Sequence, residues 1–312
     1  MNPETTLTEQ DIRNICDKHG IVFSHAQRVT EGFTNEIHRI NDDIILKVCI
    51  RSDNLDRFRI ETKVLQHKDG IAKPKFIADD FSGDVIDAPY ILMSYVEGQS
   101  LGAIWHKLTD QNREALIADI ATSLRQFNDI PVRMLFDEDK LWGDSLVDGF
   151  AKSSSELIAK NILTDEQINT VSAILKNHRT SLNKVPTKIV FWDIHFDNFI
   201  VKDNKLAAII DLEAVDQVPV EYPLSVVNKQ IEDPIKFLSL ENEQYADKAD
   251  YVHLWEWYRQ YYPEMFEVDD LEERVMIYRL LDVVHLLKDW SHNKELYEQL
   301  DRYCTELIKK LA

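Results

Sequence analysis

Two carboxylates and an amide lie near one another in a single stretch of the chain, with a spacing that suits metal-assisted chemistry. Asp193 follows an apolar run, Asn198 comes five residues later, and Asp211 ends the next apolar run. Those runs have the composition of strands, so we expect a hairpin that carries Asn198 and Asp211. Carboxylate and amide oxygens are the donors that Mg²⁺ takes, together with phosphates. The pattern predicts phosphoryl transfer, with Asp193 orienting a hydroxyl and accepting its proton. An incidental turn rich in Asp and Asn is the alternative.

A single lysine interrupts an apolar strand in the first part of the chain. Lys47 lies in the run 44–48, and burying a lysine in such a strand costs free energy unless a carboxylate pairs with it. Glu61, in the helical stretch that follows, is the candidate partner. The alternative is an edge strand on which the lysine points to solvent.

The motif around these residues resembles that of a known enzyme family. A D-x-x-x-x-N pattern followed by an apolar strand ending in I-D is similar to the catalytic and metal loops of the aminoglycoside phosphotransferase/choline kinase family, relatives of the protein kinases. The usual family form is H-G-D-x-H-x-x-N, and here Phe191 and Trp192 replace the His-Gly pair. Because Asp193, Asn198 and Asp211 remain, we expect this departure to affect the choice of substrate more than catalysis.

The resemblance implies cofactors and a role for each residue of the motif. ATP, or GTP, and Mg²⁺ are the implied cofactors, with Asp193 as the catalytic base and Asn198 and Asp211 as metal ligands. Lys47, held by Glu61, would reach the α- and β-phosphates.

Two further segments match nucleotide-binding parts of that family. In the loop 31–35, Gly32 and Thr34 would contact phosphate oxygens, although one glycine is a weak signal by itself. The segment 90–98 resembles the hinge between kinase lobes. There the Ser94 carbonyl and the Val96 amide would hold the adenine edge, and Met93 would line the back of the pocket. An ordinary strand ending at a glycine is the alternative.

The order of strand-like and helix-like patterns predicts the fold class. We expect strands at 21–30, 36–41, 44–50, 74–78 and 90–95 and a helix at 54–67, then a short β island at 188–192, 199–202 and 206–210 among long helices. The expected helices of that second part are 110–127 and 293–311, with two more after capping-box patterns that begin at Thr164 and Asp270. This predicts an α+β bilobal protein with a small β-rich N-lobe, 1–97, and a larger, mainly helical C-lobe, 98–312. The family resemblance makes that fold protein-kinase-like.

Acidic side chains are the candidates for recognising the acceptor. Glu213 and Asp216 follow the metal loop, while Asp282 and Asp289 are seven residues apart and would share one face of a helix. Carboxylates of this kind would pair with the ammonium groups of a cationic acceptor. The alternative is that these acids form part of an ordinary solvated face.

Composition narrows the class of partner. A net charge of −19 argues against nucleic-acid binding and against docking on an anionic membrane, and it is compatible with a cationic small molecule. The alternative is that the acidic surface only keeps the protein soluble. The three cysteines show no metal-site or disulfide spacing, and neither a signal peptide nor a membrane-spanning run is visible. From the cysteines and the missing signal we expect a cytoplasmic protein. A monomer or a weak homo-oligomer is the expected state.

Three functions follow from these observations. The leading one is an ATP-dependent O-phosphotransferase that acts on a small cationic acceptor such as an aminoglycoside, which would confer antibiotic resistance. A kinase for choline, ethanolamine or a sugar-type metabolite is the alternative within enzymes. A kinase-fold nucleotide-binding protein without catalysis is the third. A protein kinase is disfavoured because no A-P-E segment follows Asp211.

Overall fold

The structure is a computed structural model that describes residues 7–29, 35–67 and 70–311. The strands of the described residues are β1 Ala26–Val29, β2 Asn35–Ile40, β3 Ile44–Cys49, β4 Phe76–Asp80, β5 Tyr90–Ser94, β6 Gln99–Ser100, β7 Lys188–Phe191, β8 Phe199–Lys202, β9 Lys205–Ile209 and β10 Val215–Val218. The helices are α1 Glu9–Lys18, α2 Leu55–Gln66, α3 Leu101–Ile104, α4 Asp110–Phe127, α5 Val132–Leu135, α6 Trp142–Ala159, α7 Asp165–Leu182, α8 Leu224–Glu232, α9 Leu254–Tyr261, α10 Leu271–Asp289 and α11 Lys294–Leu311.

The chain forms two compact units. The first consists of Met1–Gln126, His195–Val215 and Phe237–Ala246, and the second of Phe127–Ile194, Asp216–Lys236 and Asp247–Ala312. The β8–β9 hairpin therefore belongs to the first unit. The lobe boundary between residues 97 and 98 stays a prediction.

An antiparallel sheet with the order β1-β2-β3-β5-β4 forms the centre of the first unit. The predicted turn between β2 and β3 is confirmed, and Asn41 and Asp42 adopt positive φ angles of 53° and 72° there. Asn and Asp tolerate this conformation because their short polar side chains bond locally. Strand β3 lies in the middle of the sheet, so Lys47 is not on an edge.

Helix α1 covers part of this sheet and was not among the sequence-based expectations. Ile12, Ile15 and Cys16 are buried in one apolar cluster with Leu46 and Leu92 of the sheet. Thr8 and Asp11 form a capping box at the start of the helix, and that T-x-x-D pattern was the signal that could have revealed it.

Two predicted strands differ from those of the structure by two or more residues at an end. Of the strand expected at 21–30, the described residues form Ala26–Val29, and residue 30 lies outside them. Residues 21–25 are not in the strand because they leave the end of α1, where the Ile21 amide donates to the Cys16 carbonyl at 2.9 Å. The strand expected at 74–78 is Phe76–Asp80, since Pro74 has no N–H to donate to a ladder.

A second sheet, β6-β8-β9, also lies in the first unit and contains the predicted hairpin. Residues Phe199 and Ile209 face each other across the hairpin and are fully buried. Helix α4 has the predicted bounds, and its expected apolar face, with Leu116, Ile120 and Leu124, is buried.

Helices α6, α7, α10 and α11 build the core of the second unit. Among its buried residues are Leu157, Leu175, Leu280 and Leu307. A two-stranded sheet pairs β10 with β7. None of the helices in residues 7–29, 35–67 and 70–311 is long and apolar enough to cross a membrane.

The capping-box predictions for two helices of this unit have opposite outcomes. At α7 the prediction is confirmed, because Thr164 accepts from the Gln167 amide at 3.2 Å and its own amide donates to the Gln167 side chain at 3.0 Å. At α10 the prediction was wrong. Asp270 adopts the left-handed conformation, with φ at 57°, and makes no side-chain cap hydrogen bond.

A buried carboxylate ties α1 to the end of β4 and makes a prediction about pH. Lys18 Nζ donates to Asp80 at 2.6 Å and the Ser82 hydroxyl donates to it at 2.6 Å, and these bonds hold the Asp80 pKa well below its usual 3.8. A carboxyl group whose pKa is lower in the folded than in the unfolded protein stabilises the fold at pH values above its unfolded pKa. That contribution is lost as the pH falls from the unfolded pKa through the folded one.

We predict that Asp80→Asn lowers the free energy of unfolding at pH 7 by about 1 kcal/mol, a modest value because Lys18 is partly exposed to screening solvent. The difference from wild type should shrink as the pH falls below 3.8. Urea denaturation at pH 7 and pH 3 measures it, with the exposed Asp84→Asn as control. An effect of Asp80→Asn that is equal at both pH values would contradict the assignment.

Candidate active site

The β8–β9 hairpin fixes where Asn198 and Asp211 lie. Asn198 directly precedes β8, and Asp211 follows β9 by two residues. The Ile210 amide donates to the Asn198 carbonyl at 2.9 Å, which closes the open end of the hairpin between the two residues. The structure therefore brings both predicted metal ligands to the same end of one hairpin.

The backbone at Asp211 has an unusual conformation. Its φ and ψ angles are 57° and 52°, in the left-handed region that few non-glycine residues adopt. The chain then makes a single 3₁₀ turn, Leu212–Ala214, with Leu212 buried beneath it. The side chain of Asp211 stays 53% exposed, so it is accessible to a ligand. Such backbone outliers often occur at functional sites.

A close approach to α3 supports the turn that carries Asn198. The Ser100 hydroxyl donates to Asp197 at 2.8 Å. A Cβ atom added at Gly102 would lie 2.3 Å from the same carboxylate oxygen, so only glycine leaves room for it. These three residues were not predicted, and no pattern in the sequence links positions 100 and 102 to position 197.

Lys47 has three carboxylate neighbours. Its ammonium lies 2.7 Å from Glu61, 3.1 Å from Asp211 and 2.5 Å from Glu213, and the whole residue is only 5% exposed. The predicted pairing with Glu61 is present. The contact with Asp211 connects β3 and α2 to the end of the hairpin, all within the first unit.

Glu213 has a place that the sequence did not reveal. Besides Lys47, its carboxylate accepts hydrogen bonds from the side-chain amides of Asn35 and Asn54, and it is 12% exposed. We expected Glu213 to contact substrate. Its present partners all belong to the first unit, and the role in substrate binding stays a prediction.

The charges in this cluster are unbalanced, and the pKa values reflect it. Burial lowers the pKa of Lys47, but the three carboxylates outweigh burial and raise it above its ordinary value. Burial raises the pKa of Glu61 to about 7; Lys47 opposes this rise, and Glu213 and Asp211 add to it. Three carboxylates around one ammonium leave an excess of negative charge, which is an environment suited to an additional cation.

The donors present fit a magnesium ion that is shared with phosphates. In the described part of the chain, no group of three or more His, Cys, Asp or Glu side chains is arranged to hold a metal. Mg²⁺ commonly takes only one or two protein carboxylates and completes its shell with water and substrate phosphates. Asn198 and Asp211 could supply that small set of oxygens.

Asp193 lies in the second unit, on the segment that follows β7. That strand is anchored by Phe191, which is fully buried and packs its ring 5.8 Å from that of Phe127. The replacement of the family's histidine is thus an apolar packing residue. Trp192 is partly buried, and the centroid of its ring lies 6.2 Å from that of Tyr222.

The residues predicted to bind the nucleotide base lie at the end of β5. Met93 is buried, and Ser94 is the last residue of the strand. The Ser94 hydroxyl accepts from the Lys75 amide at 2.9 Å, which fixes the chain just before Val96. The roles of Met93, Ser94 and Val96 stay predictions. Gly32 and Thr34 lie outside the described residues.

The other acids proposed to read the acceptor are in the second unit. Asp216 lies 3.3 Å from the Lys140 ammonium, and Asp282 lies 2.9 Å from that of Lys229. Asp282 and Asp289 both belong to α10, as predicted, and Asp289 is exposed at its last position. Their contact with an acceptor stays a prediction.

Comparison with known proteins identifies the family. A family model described as the phosphotransferase enzyme family, APH, matches residues 25–228, which is more than half of the chain. The chain belongs to this family. Among curated proteins, none matches the sequence.

Solved structures show the fold of this phosphotransferase. The gentamicin complex of APH(2″)-IIa superposes with a TM-score of 0.67 and 18% identity over 97% of either chain. The streptomycin–ATP complex of the same protein superposes with a TM-score of 0.64 and 19% identity, covering 98% of this chain and 97% of that chain. The GDP complex of aminoglycoside 2′-phosphotransferase-IIIa superposes with a TM-score of 0.68 and 16% identity, covering 95% of this chain and 98% of that chain. The predicted α+β, bilobal, protein-kinase-like fold is confirmed.

The charge cluster around Lys47 generates a prediction about stability. Removing the lysine leaves Glu61, which is 2% exposed, without its counter-ion, so its carboxyl group must stay buried as an unpaired charge or take up a proton. We predict that Lys47→Met lowers the free energy of unfolding by about 3 kcal/mol or more. The double variant Lys47→Met/Glu61→Met should be more stable than the single variant, because it also removes the unpaired carboxyl group of Glu61.

Chemical denaturation followed by circular dichroism measures both variants, and the half-exposed Lys202→Met on β8 serves as control. Equal stability of the single variant and the control, or a double variant less stable than the single one, would contradict this account.

Proposed function

We propose that this phosphotransferase moves the γ-phosphate of ATP to a hydroxyl of a small cationic acceptor of the aminoglycoside type. The observation that carries the proposal is the buried Lys47–Glu61 pair in contact with Asp211, in a chain of the phosphotransferase family. Phosphoryl transfer depends mainly on holding and neutralising phosphates, and this cluster provides one cation and oxygen donors for another.

The nucleotide would bind along the sheet of the first unit. Lys47 would hold the α- and β-phosphates, and the strand end at Ser94–Val96 would receive the base, with Met93 beside it. Gly32 and Thr34 would cover the phosphates. Solved relatives contain ATP or GDP, which supports a nucleoside triphosphate as donor and leaves both ATP and GTP as candidates.

Asn198 and Asp211 would hold Mg²⁺, which when bound supplies positive charge against the phosphates. Asp193 would orient the acceptor hydroxyl and accept its proton. Its position five residues before Asn198 follows the family pattern, and the buried strand β7 fixes the backbone that leads to it.

The acceptor would be a polyamine sugar or a molecule of similar charge. One solved relative, APH(2″)-IIa, was captured with gentamicin and with streptomycin, and the net charge of −19 is compatible with a cation here as well. Asp216, Asp282 and Asp289 are the candidates for pairing with its ammonium groups. Phosphorylation of such an antibiotic would make this an antibiotic resistance enzyme.

Trp192 supports a second candidate function. It replaces the glycine of the usual family motif directly before Asp193, and it packs with Tyr222 as a pair of partly exposed rings. Aromatic faces attract quaternary ammonium groups, so a choline-type acceptor would fit this feature. Sugar kinases gain no comparable support from it.

An acceptor panel and one substitution test the proposal. We predict that purified protein with MgATP releases ADP faster with an aminoglycoside than with choline, ethanolamine or a simple sugar. Asp193→Asn should lower the turnover by about 10³-fold or more and leave ATP affinity within about twofold, because it removes only the proton acceptor.

Asp203→Asn is the matched control, since it makes the same change in the exposed β8–β9 turn. Equal turnover of Asp193→Asn and wild type would refute the role of Asp193. Tight nucleotide binding without ADP release on any acceptor would favour a binding protein over an enzyme.

A further inference from the structure

Three hydrogen-bond donors converge on the carboxylate of Glu213. Lys47 Nζ and the Asn35 amide contact one of its oxygens, and the Asn54 amide donates to the other at 2.5 Å. The donors come from three different elements: β2, β3 and the residue that directly precedes α2. A single carboxylate thus connects the sheet and the helix of the first unit.

This set of donors suits a phosphate group. An ammonium and two amide N–H groups match the hydrogen-bond acceptors of a phosphate, and Asn54 places the anion near the start of a twelve-residue helix. Asn35 and Lys47 are both 5% exposed, so the donors are held in a largely desolvated position. A carboxylate is the side-chain group that most resembles a phosphate oxygen pair in charge and acceptor geometry.

Lys47 has no further donor capacity while Glu213 is in place. An ammonium carries three N–H groups, and Lys47 has three carboxylate neighbours at 2.5 to 3.1 Å. A phosphate that binds Lys47 must therefore replace one of them. Glu61 is the most buried of the three, at 2% exposure, and Asp211 is the most exposed, at 53%. Glu213, at 12%, is the one whose oxygens also accept from Asn35 and Asn54, so a phosphate that takes its place gains all three donors.

We propose that Asn35, Lys47 and Asn54 form a phosphate subsite, and that Glu213 occupies it as an internal substitute until a nucleotide phosphate displaces it. The inference rests on the proposed function only in taking that phosphate to belong to a nucleotide. Glu213 is then a competitor of the phosphate, and binding requires this side chain to turn away from Lys47. Asn54 becomes a phosphate ligand for which the family motif gave no signal, and Asn35 is the last residue of the loop 31–35 that the resemblance places over the phosphates.

The test compares anion binding by wild type and by Glu213→Gln. This substitution keeps the shape of the side chain and removes its charge, so the competing anion is weakened and one negative charge is removed from beside the incoming phosphate. We expect inorganic tripolyphosphate and ATP each to bind about tenfold more tightly to Glu213→Gln than to wild type, measured by isothermal titration calorimetry without added metal.

Asp56→Asn is the matched control, because it removes a carboxylate at the start of α2 whose side chain is 93% exposed. Its affinity for both anions should equal that of wild type. The inference would be overturned if Glu213→Gln bound tripolyphosphate no more tightly than wild type does, or if neither protein bound it detectably.

The two probes separate this inference from the proposed function. Tighter tripolyphosphate binding without ATP binding by either protein would support the subsite and count against a nucleotide-dependent enzyme. ATP binding by wild type, with no gain in affinity for either anion in Glu213→Gln, would leave the enzyme proposal intact and overturn the subsite. Should Glu213→Gln fail to fold, Glu213→Asp withdraws the carboxylate by one methylene, and the same tightening, a few-fold in size, is expected.

Discussion

The arrangement of the first unit depends on the ion pairs of the buried Lys47 ammonium. It lies in the central strand of the sheet and contacts carboxylates from α2 and from the turn after the β8–β9 hairpin. A charge in this position is tolerated only when it is paired. The pairing therefore fixes the helix and the hairpin end against β3, and the surplus of carboxylates makes the site receptive to a divalent cation.

Backbone constraints place the remaining oxygen donors. The hairpin pairing brings Asn198 beside Ile210, and the left-handed conformation of Asp211 turns the chain directly after it. The absence of a side chain at Gly102 lets Asp197 approach α3 and hold the turn before β8. Each of these features acts on the backbone, so they fix the main chain at the two residues that would hold a metal.

Much of the fold could be predicted, because hydrophobic periods and short motifs record it. The hairpin, the apolar face of α4 and the Lys47–Glu61 pair all follow from local patterns or from the cost of burying a lysine. The long-range contacts could not be predicted. Asn35 and Asn54 meet Glu213 across more than 150 residues of chain. Asp270 failed as a cap because its backbone is left-handed, which a capping-box pattern does not reveal.

The central claim is that Lys47 and its carboxylates bind a metal–triphosphate. The most direct measurement is the affinity of wild type and of Lys47→Met/Glu61→Met for a non-hydrolysable ATP analogue with Mg²⁺, by calorimetry on proteins shown to be folded. The account predicts measurable binding by wild type and a loss of at least about tenfold, or about 1.4 kcal/mol, in the double variant. Equal affinity of the two folded proteins would contradict it.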